Sequence, residues 1–289
     1  MVKPIDLMIV GAHKAGTTSL LRYLGMHKEV CIHPQSEMTF FVRDEEYQLG
    51  YENIFGNYFK NCHNASLIMA KNVGIMYSTE ASKRLKEHNP DIHIVVVLRN
   101  PIDRAYSAYW YARRKGWERL KSFEQAINIE SERLREDSFK WRHCAYLERG
   151  IYHKYISMLL EYFEKNHVHI FLLEDLKTNP GDICQKIYTL FNMDFTFHVN
   201  SHHNKAAIAK SEKIAAFLVS KNPLKKLIRS MIPDKIAFSI KKKIIGLNEK
   251  SFIPTPINPE TRVRLSKYFQ THNGILGNII GRNLDHWND

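Results

Sequence analysis

The chain has 289 residues, and its 44% hydrophobic content predicts a folded core and excludes an extended disordered tail. Its 42 basic and 30 acidic residues leave a formal net charge of +12. This charge favours a polyanionic partner such as nucleic acid, an anionic membrane or an acidic glycan, although an inert basic surface would have the same composition.

The first predicted strand, residues 7–10, leads through a glycine-bounded loop to a helix at about 17–27. The helix opens with three consecutive hydroxyl residues, and the arrangement aims backbone N–H groups and a helix N-terminus at an anion, usually a phosphate. An ATPase loop carries its lysine directly after the second glycine, but here Gly16 is followed by Thr17 and the lysine lies inside the loop at Lys14. The alternative is a glycine turn that binds no ligand.

The rest of the chain alternates between predicted strands and helices. Strands are predicted at 66–70, 92–98 and 168–173, and helices at about 79–87, 150–165 and 260–271, with another starting at 101. Asn100 and Pro101 supply the cap and first turn of that helix, and we expect the strands at 92–98 and 168–173 to be buried. Strands separated by helices predict right-handed crossovers, so the fold class is α/β with a central parallel sheet flanked by helices.

A cation follows the strand at 92–98, where a nucleotide triphosphatase usually presents an aspartate that holds magnesium. The residue is Arg99, and a guanidinium recruits an anion rather than a metal. Ser107, on the next helix, can donate to the same anion. Two anion sites without a metal carboxylate fit a nucleotide phosphorylated at both its 5′ and 3′ positions. As the alternative, Arg99 forms a salt bridge with Asp103 or Asp175.

Residues 221–246 carry eight lysines and arginines against one acidic residue, Asp234. Apolar residues recur there at helical spacing, which predicts a helix pair laid on the sheet with a solvated basic face. Contact of residues 221–243 with a membrane or a polyanion is the alternative. We find no internal repeat, so we expect a single domain over 1–289 with a basic helical decoration at about 210–250.

Four cysteines, Cys31, Cys62, Cys144 and Cys184, form no C-x-x-C pair, so we expect reduced thiols and neither a disulfide framework nor a thiolate metal site. No H-E-x-x-H spacing occurs among the 15 histidines, and we expect solvated loop histidines, including those at 198, 202 and 203. No apolar run approaches the roughly 20 residues that span a bilayer, and the first strand begins too early for a signal peptide. These features predict a soluble, cytoplasmic protein.

Several segments carry a family likeness. The two main ones are Lys14-Ala15-Gly16-Thr17-Thr18-Ser19-Leu20 and Leu98-Arg99-Asn100-Pro101-Ile102-Asp103-Arg104-Ala105-Tyr106-Ser107. Further matches are Glu37-Met38-Thr39-Phe40-Phe41, Ser122-Phe123-Glu124, Arg149-Gly150-Ile151-Tyr152, Leu173-Glu174-Asp175-Leu176 and the closing stretches 265–269 and 281–287. Together they resemble the PAPS-dependent sulfotransferases, with the strongest likeness to the bacterial and heparan-sulfate-type branch. The likeness spans nearly the whole chain and implies the P-loop-like sulfotransferase fold.

The resemblance implies transfer of a sulfuryl group from 3′-phosphoadenosine 5′-phosphosulfate (PAPS), with 3′-phosphoadenosine 5′-phosphate (PAP) as the product. By family analogy, the 5′-phosphosulfate is held by Lys14, Ala15, Gly16, Thr17, Thr18 and Ser19, and the 3′-phosphate by Arg99 and Ser107. In-line attack by an acceptor pushes negative charge onto the bridging oxygen of the leaving nucleotide, where the ammonium of Lys14 stabilises the transition state. Lysine, hydroxyl and backbone N–H groups neutralise this charge, so no metal is expected.

On the acceptor side, Glu37 matches the base in an E-x-x-F-F segment of heparan-type relatives, although an ordinary surface glutamate is the alternative. Some relatives place histidine and aspartate where this chain has Thr39 and Val42, so Glu37 lacks their support. Lys71 resembles a lysine that contacts the acceptor in an E-K-[ST]-x-x-Y segment, but the glutamate is missing and the spacing to the tyrosine differs. Lys250 lies where relatives cover the 3′-phosphate with a K-G-R loop, whose glycine and arginine are absent here.

The acceptor implied is a hydroxyl or an amino group on a glycan or glycolipid, and no nucleic acid partner is expected. Two other classes of function stay open at this point. One is a P-loop kinase that uses ATP and magnesium, and the other is a non-catalytic glycan- or membrane-binding protein that retains the fold. The sequence predicts neither the acceptor's identity and regiochemistry nor the oligomeric state.

Overall fold

A computed structural model of the chain describes residues 2–60, 62, 65–136, 138–194, 207–209, 211, 244, 249–251 and 254–289. The basic residues at 221–243 and the histidines at 198, 202 and 203 lie outside them. The chain divides into two compact units, Met1–Arg104 with Ile151–His203 and Ser266–Asp289, and Ala105–Gly150 with Asn204–Leu265. The single domain expected over 1–289 stays a prediction. Among the described residues, no helix has the length and apolar character needed to cross a bilayer.

The first unit is built on a sheet of five parallel strands, which confirms the α/β prediction. The strands are β1 (Leu7–Gly11), β2 (Val30–Ile32), β3 (Leu67–Lys71), β4 (His93–Leu98) and β5 (Val168–Leu172), in the spatial order β2-β3-β1-β4-β5. Leu7 pairs with Met69 on one side and His93 on the other, and Leu98 pairs with Leu172. The carboxyl ends of β1, β3 and β4 therefore meet at one edge of the sheet.

The inner strands form the core of this unit. All residues of β1 and β3 are buried, as are all of β4 except His93. The prediction that 168–173 is buried is wrong for most of this strand, because β5 lies at the edge of the sheet and only Leu172 is fully buried. The three-residue strand β2 was not predicted, since so short a run shows no clear pattern.

Each of the five helices predicted at 17–27, 79–87, 150–165, 260–271 and from 101 is present, but the one predicted at 260–271 extends to Ile280, and seven further helices among the described residues were not predicted. In chain order the described helices are α1 (Thr17–Leu24), α2 (Asp44–Tyr47), α3 (Tyr51–Tyr58), α4 (Thr79–His88), α5 (Pro101–Lys115), α6 (Phe123–Asn128), α7 (Glu130–Glu136), α8 (Ser138–Cys144), α9 (Tyr152–Tyr162), α10 (Leu173–Thr178), α11 (Pro180–Thr189) and α12 (Pro259–Ile280). Helix α1 ends at Leu24 rather than His27, because Gly25 caps it. Asn100 accepts hydrogen bonds from the N–H groups of Ile102 and Asp103, so the predicted cap of α5 is confirmed.

The second unit contains α6, α7, α8 and a short antiparallel pair, β6 (Ala207–Ala209) with β7 (Glu249–Ser251). Its core holds a buried polar network in which Arg133 pairs with Glu118 at 2.8 Å, while the Tyr146 hydroxyl donates to Glu118 at 2.9 Å. Hydrogen bonds from Arg133, Leu120 N–H and Tyr146 outweigh burial and hold the pKa of Glu118 below its ordinary value. This network fixes the connection between α5 and α7.

Two expectations about cysteine and histidine are corrected. Cys31 and Cys62 form a disulfide, with their Cα atoms 5.7 Å apart, so the prediction of four reduced thiols is wrong. Cys144 and Cys184 are free and buried. The expectation of solvated histidines is wrong for His33, which is 2% exposed. Both corrections involve partners distant in sequence, which local patterns cannot reveal.

Candidate active site

The loop between β1 and α1 has the backbone of an anion-binding turn. Lys14 and Gly16 both adopt positive φ angles, +70° and +86°. A side chain at Gly16 would be strained by this φ and would lie 2.8 Å from the Leu173 side chain, so glycine is required there. A non-glycine residue in the left-handed region, such as Lys14, is uncommon and concentrates at functional sites. The loop is tied to the sheet by the Ala12 N–H, which donates to the Val97 carbonyl at 2.7 Å.

Helix α1 presents its N-terminus at the end of this loop. Gly16 is the N-cap, and the first turn contains no acidic residue. The first N–H groups of a helix have no acceptor within it, and the helix dipole adds positive potential there. Thr17 is buried, whereas Thr18 and Ser19 are partly exposed. This end of the helix therefore suits an anion.

Arg99 connects the end of β4 to the loop. Its guanidinium Nη1 donates a hydrogen bond to the Lys14 carbonyl at 3.2 Å, and the Tyr152 hydroxyl fixes the Arg99 carbonyl at 2.9 Å. Burial lowers the pKa of Arg99 from its ordinary value, against the opposing charge of Asp103. Asp175, one of the two alternative partners for Arg99, pairs instead with Arg282 at 2.5 Å. The structure thus brings together the two segments predicted to bind anions.

Glu37 and Lys71 form a second cluster at the end of β3. The Lys71 ammonium lies 2.5 Å from Glu37 Oε1, and the Val73 N–H donates to Glu37 Oε2 at 3.0 Å. The side chain of Lys71 is 2% exposed and that of Glu37 is 31% exposed. Burial lowers the pKa of Lys71, while the charge of Glu37 opposes this shift. Glu37 is therefore a held carboxylate rather than an unattached surface residue, and the ammonium of Lys71 faces it instead of solvent.

The backbone next to Glu37 is fixed by the same strand end. Met38 N–H donates to the Lys71 carbonyl at 2.8 Å, and the Asn72 side-chain amide donates to the Met38 carbonyl at 2.7 Å. The side-chain amide oxygen of Asn72, Oδ1, also accepts from Gly74 N–H at 2.7 Å. Neither Asn72 nor the ion pair itself was predicted. Resemblance marked Glu37 and Lys71 separately, and their contact joins positions 34 residues apart.

The position where some relatives have histidine serves a different network here. The Thr39 hydroxyl donates to Glu46 at 2.7 Å, and Thr39 N–H donates to the Tyr58 hydroxyl at 3.1 Å. Tyr58 in turn donates to Glu46 at 2.7 Å, and burial raises the pKa of the Tyr58 hydroxyl. Thr39 thus anchors the chain after Glu37.

The remaining predicted residues lie in the second unit. Ser107 lies on α5 and is partly exposed, and Lys250 lies on β7, where its backbone pairs with Ile208. Their roles at the 3′-phosphate stay predictions. Among the residues that the structure describes, no group of three histidine, cysteine or acidic side chains could hold a metal ion.

Comparison with known proteins places this geometry in a family. Residues 4–213 match the family model described as a sulfotransferase domain. The chain is 25% identical over 293 residues to the human bifunctional heparan sulfate N-deacetylase/N-sulfotransferase 3, covering 97% of this chain and 30% of the relative. It is 24% identical over 285 residues to the mouse bifunctional heparan sulfate N-deacetylase/N-sulfotransferase 4, covering 95% and 30%. The chain thus spans about a third of the length of these relatives.

A solved structure shows the same fold. The crystal structure of a sulfotransferase from Alicyclobacillus acidocaldarius superposes with a TM-score of 0.71 at 23% identity, covering 100% of both chains. The fold of this chain therefore belongs to a known architecture. Because the family match covers most of its length, the chain belongs to the sulfotransferase domain family.

Proposed function

We propose that this chain transfers a sulfuryl group from PAPS to a hydroxyl or an amino group of a carbohydrate acceptor, such as a glycan or glycolipid. The observation that carries the proposal is the hydrogen bond from Arg99 to the Lys14 carbonyl, because it joins the two segments that the sequence predicts to bind anions. The family match supports sulfuryl transfer, and relatives named as heparan sulfate N-sulfotransferases support the carbohydrate acceptor.

PAPS fits the positive charges and hydrogen-bond donors of the loop between β1 and α1. Lys14 and the first turn of α1 would hold the 5′-phosphosulfate, and Arg99, with Ser107 and Lys250 as further predicted contacts, would hold the 3′-phosphate. An arginine has several N–H donors in one plane, so the bond from Arg99 to the Lys14 carbonyl uses one of them and leaves others for an anion. No metal is part of this proposal, since the ammonium and N–H groups supply the positive charge.

The reaction is an in-line displacement at sulfur. The acceptor oxygen or nitrogen forms a bond to sulfur while the bond from sulfur to the 5′-phosphate oxygen breaks, and PAP leaves. Lys14 would donate to that oxygen as its charge develops, which lowers the barrier more than it strengthens ground-state binding. Glu37 would accept the acceptor's proton. Each carboxylate oxygen has two lone pairs, so one remains on Oε1 and on Oε2 beside the bonds from Lys71 and Val73.

The two other classes of function are not favoured. A P-loop kinase needs a lysine after Gly16 and an acidic residue after β4, but this chain has Thr17 and Arg99 there. A non-catalytic binding protein would have no need for a carboxylate held by an ammonium and a backbone N–H.

Several predictions about the protein's surroundings stay proposals. For residues 221–243 a solvated basic face stays the prediction, contact with a membrane or a polyanion stays its alternative, and no nucleic acid partner is expected. Cytoplasmic location also stays a prediction. The Cys31–Cys62 disulfide is more typical of oxidising compartments than of the cytoplasm. Cell fractionation, combined with an alkylation assay of the two cysteines, would decide between these two locations.

The proposal is tested by incubating the protein with radiolabelled PAPS and N-desulfated heparin, which presents both free amino groups and hydroxyls. We expect label in the polysaccharide, and chemical cleavage at N-sulfated sugars would separate N- from O-transfer. A parallel reaction with ATP and magnesium serves as the control for phosphoryl transfer. Label transfer from ATP but none from PAPS would overturn the proposal.

A further inference from the structure

A buried histidine, His33, contacts the backbone of Lys71, the residue that pairs with Glu37. His33 follows the last residue of β2 and is 2% exposed. Its ring packs edge-on against Tyr58 and Phe59, with ring centroids 6.1 and 6.3 Å apart. This packing fixes the plane of the imidazole. No role was predicted for His33, because a histidine followed by proline is typical of an ordinary loop.

The ring takes the place of a backbone acceptor at the end of the sheet. Strand β2 pairs with β3 only as far as Ile32 and Met69, and beyond that point the Lys71 N–H donates to His33 Nε2 at 3.0 Å. A nitrogen that accepts carries no proton, so the ring is neutral with its proton on Nδ1. Burial, and then the charge of Lys71, lower the pKa of His33 to about 4, so the accepting form persists at neutral pH.

The hydrogen bond fixes the residue that holds the proposed base. Lys71 is the last residue of β3; its N–H is held by His33, its carbonyl by Met38 and its ammonium by Glu37. An unsatisfied buried N–H is costly, so losing the acceptor would turn or displace this strand end. We propose that His33 is a positioning residue that sets the orientation of Glu37 through Lys71. This inference rests on the proposed function of Glu37 as the base.

The chain contains a matched control. His88 is partly buried, and like His33 it accepts a backbone N–H at Nε2, here from Ile5 at 3.1 Å. Its ring packs on Phe41 and Tyr51. Burial lowers its pKa to about 4 as well. Its hydrogen-bond partner Ile5 carries no proposed catalytic group. Replacing His88 therefore removes a similar hydrogen bond at a place that should not affect Glu37.

The first experiment compares leucine and glutamine at both positions, using radiolabelled PAPS and N-desulfated heparin. Because a displacement of about 1 Å can cost up to 100-fold in rate, His33→Leu should lower kcat by roughly 10- to 100-fold. PAP affinity, measured by calorimetry, should stay within about twofold, since the donor loop is untouched. His33→Gln places an amide oxygen near the position of Nε2, so its kcat should stay within about threefold of the wild type. Both His88 variants should also stay within about threefold of the wild type.

Two outcomes would overturn the inference. If His88→Leu lowers kcat as much as His33→Leu, the effect is a general loss of stability. If His33→Gln is as slow as His33→Leu, the acceptor nitrogen is not what matters. Should His33→Leu fail to fold, His33→Asn replaces it, because its amide is one atom too short to reach the Lys71 N–H.

A second measurement separates this inference from the proposed function. Lys71 is buried and ion-paired, so an amine-reactive acetylating reagent should label it slowly, as read by peptide mass spectrometry. His33→Leu should increase this labelling, whereas His33→Gln and His88→Leu should not. If the wild type transfers no sulfate but labelling responds in this way, the proposed function fails and His33 still positions Lys71. If labelling does not respond, the inference about His33 is wrong whatever the activity.

Discussion

Replacing Arg99 with alanine tests whether the proposed site binds both the 5′-phosphate and the 3′-phosphate of a doubly phosphorylated nucleotide. The change removes the hydrogen bond to the Lys14 carbonyl and the proposed contact with the 3′-phosphate. Loss of the Lys14 contact disturbs the loop equally for PAP and for 5′-AMP, which lacks the 3′-phosphate. The ratio of the two dissociation constants therefore isolates the 3′ contact. A hydrogen bond to a charged group contributes about 1.5–3 kcal/mol, so the preference for PAP should fall by roughly 10- to 150-fold.

Calorimetric titration of both nucleotides into the wild type and the variant measures this ratio directly. Arg84→Ala is the control, because Arg84 pairs with two exposed carboxylates, Asp44 and Glu80, has no proposed contact with the nucleotide, and should leave both affinities unchanged when replaced. Arg99→Lys keeps the charge but loses the planar donors, so it should fall between wild type and alanine. Equal loss of affinity for PAP and 5′-AMP in Arg99→Ala would refute the assignment of Arg99 to the 3′-phosphate.

Four further predictions concern Lys14, the proposed base Glu37, four imidazoles with lowered pKa values, and the Glu118–Arg133 pair. Lys14→Ala should lower kcat by roughly 100-fold or more while PAP affinity changes by less than about tenfold, and an unchanged kcat would contradict its role at the leaving oxygen. Glu37→Gln should lower kcat by about 10²- to 10⁴-fold with PAP affinity unchanged, and a rate near that of the wild type would show that another group takes the proton. Lowering the pH from about 6.5 to about 4 should reduce the free energy of unfolding, as measured by denaturant titrations. The reason is that four imidazoles have a folded pKa of about 4, so in this pH range they bind protons only when the chain unfolds. The four are His33, His88, His143 and His169. A free energy of unfolding that does not change with pH would contradict this. Glu118→Ala should lower the free energy of unfolding by about 3–5 kcal/mol at pH 7, because it leaves Arg133 charged and largely buried without its partner. The folded pKa of Glu118 is lowered, so its contribution to stability is present above pH 4.5 and shrinks as the pH falls through the folded value. An equal loss of stability at acid and at neutral pH would therefore argue against the ion pair.

The sequence predicted best the features whose causes are local. The turn from β1 into α1 depends on glycine at position 16, where φ is +86°, and on a run of small and hydroxyl residues after it. The start of α5 depends on Asn100 and Pro101, which cap and begin the helix within three residues. These signals are contained in a few neighbouring residues, so the loop and the end of β4 could be placed without knowledge of the rest of the fold.

The features that were missed depend on which segments become neighbours. The disulfide joins Cys31 to Cys62 across 31 residues, and the edge position of β5 follows from the strand order rather than from its own apolar sequence. Resemblance identified Glu37 and Lys71 as separate candidates, but only the pairing of β2 with β3 brings His33 and Lys71 into contact. Resemblance in sequence could therefore identify the family, whereas the contacts that support the proposed base required the fold.

These supports also resolve the departure from the family pattern around Glu37. The sequence lacks the histidine and aspartate that some relatives place after the glutamate, because Thr39 and Val42 occupy those positions. Thr39 instead binds Glu46, and Glu37 is held by the ammonium of Lys71, the last residue of β3, and by the N–H of Val73 just after it. A carboxylate needs only fixed donors and a remaining lone pair to accept a proton in a defined direction. Since Lys71 at the end of β3 and Val73 after it supply those donors here, the positions after Glu37 are free to differ. We therefore expect their difference to bear on which acceptor fits rather than on whether Glu37 can act as the proposed base.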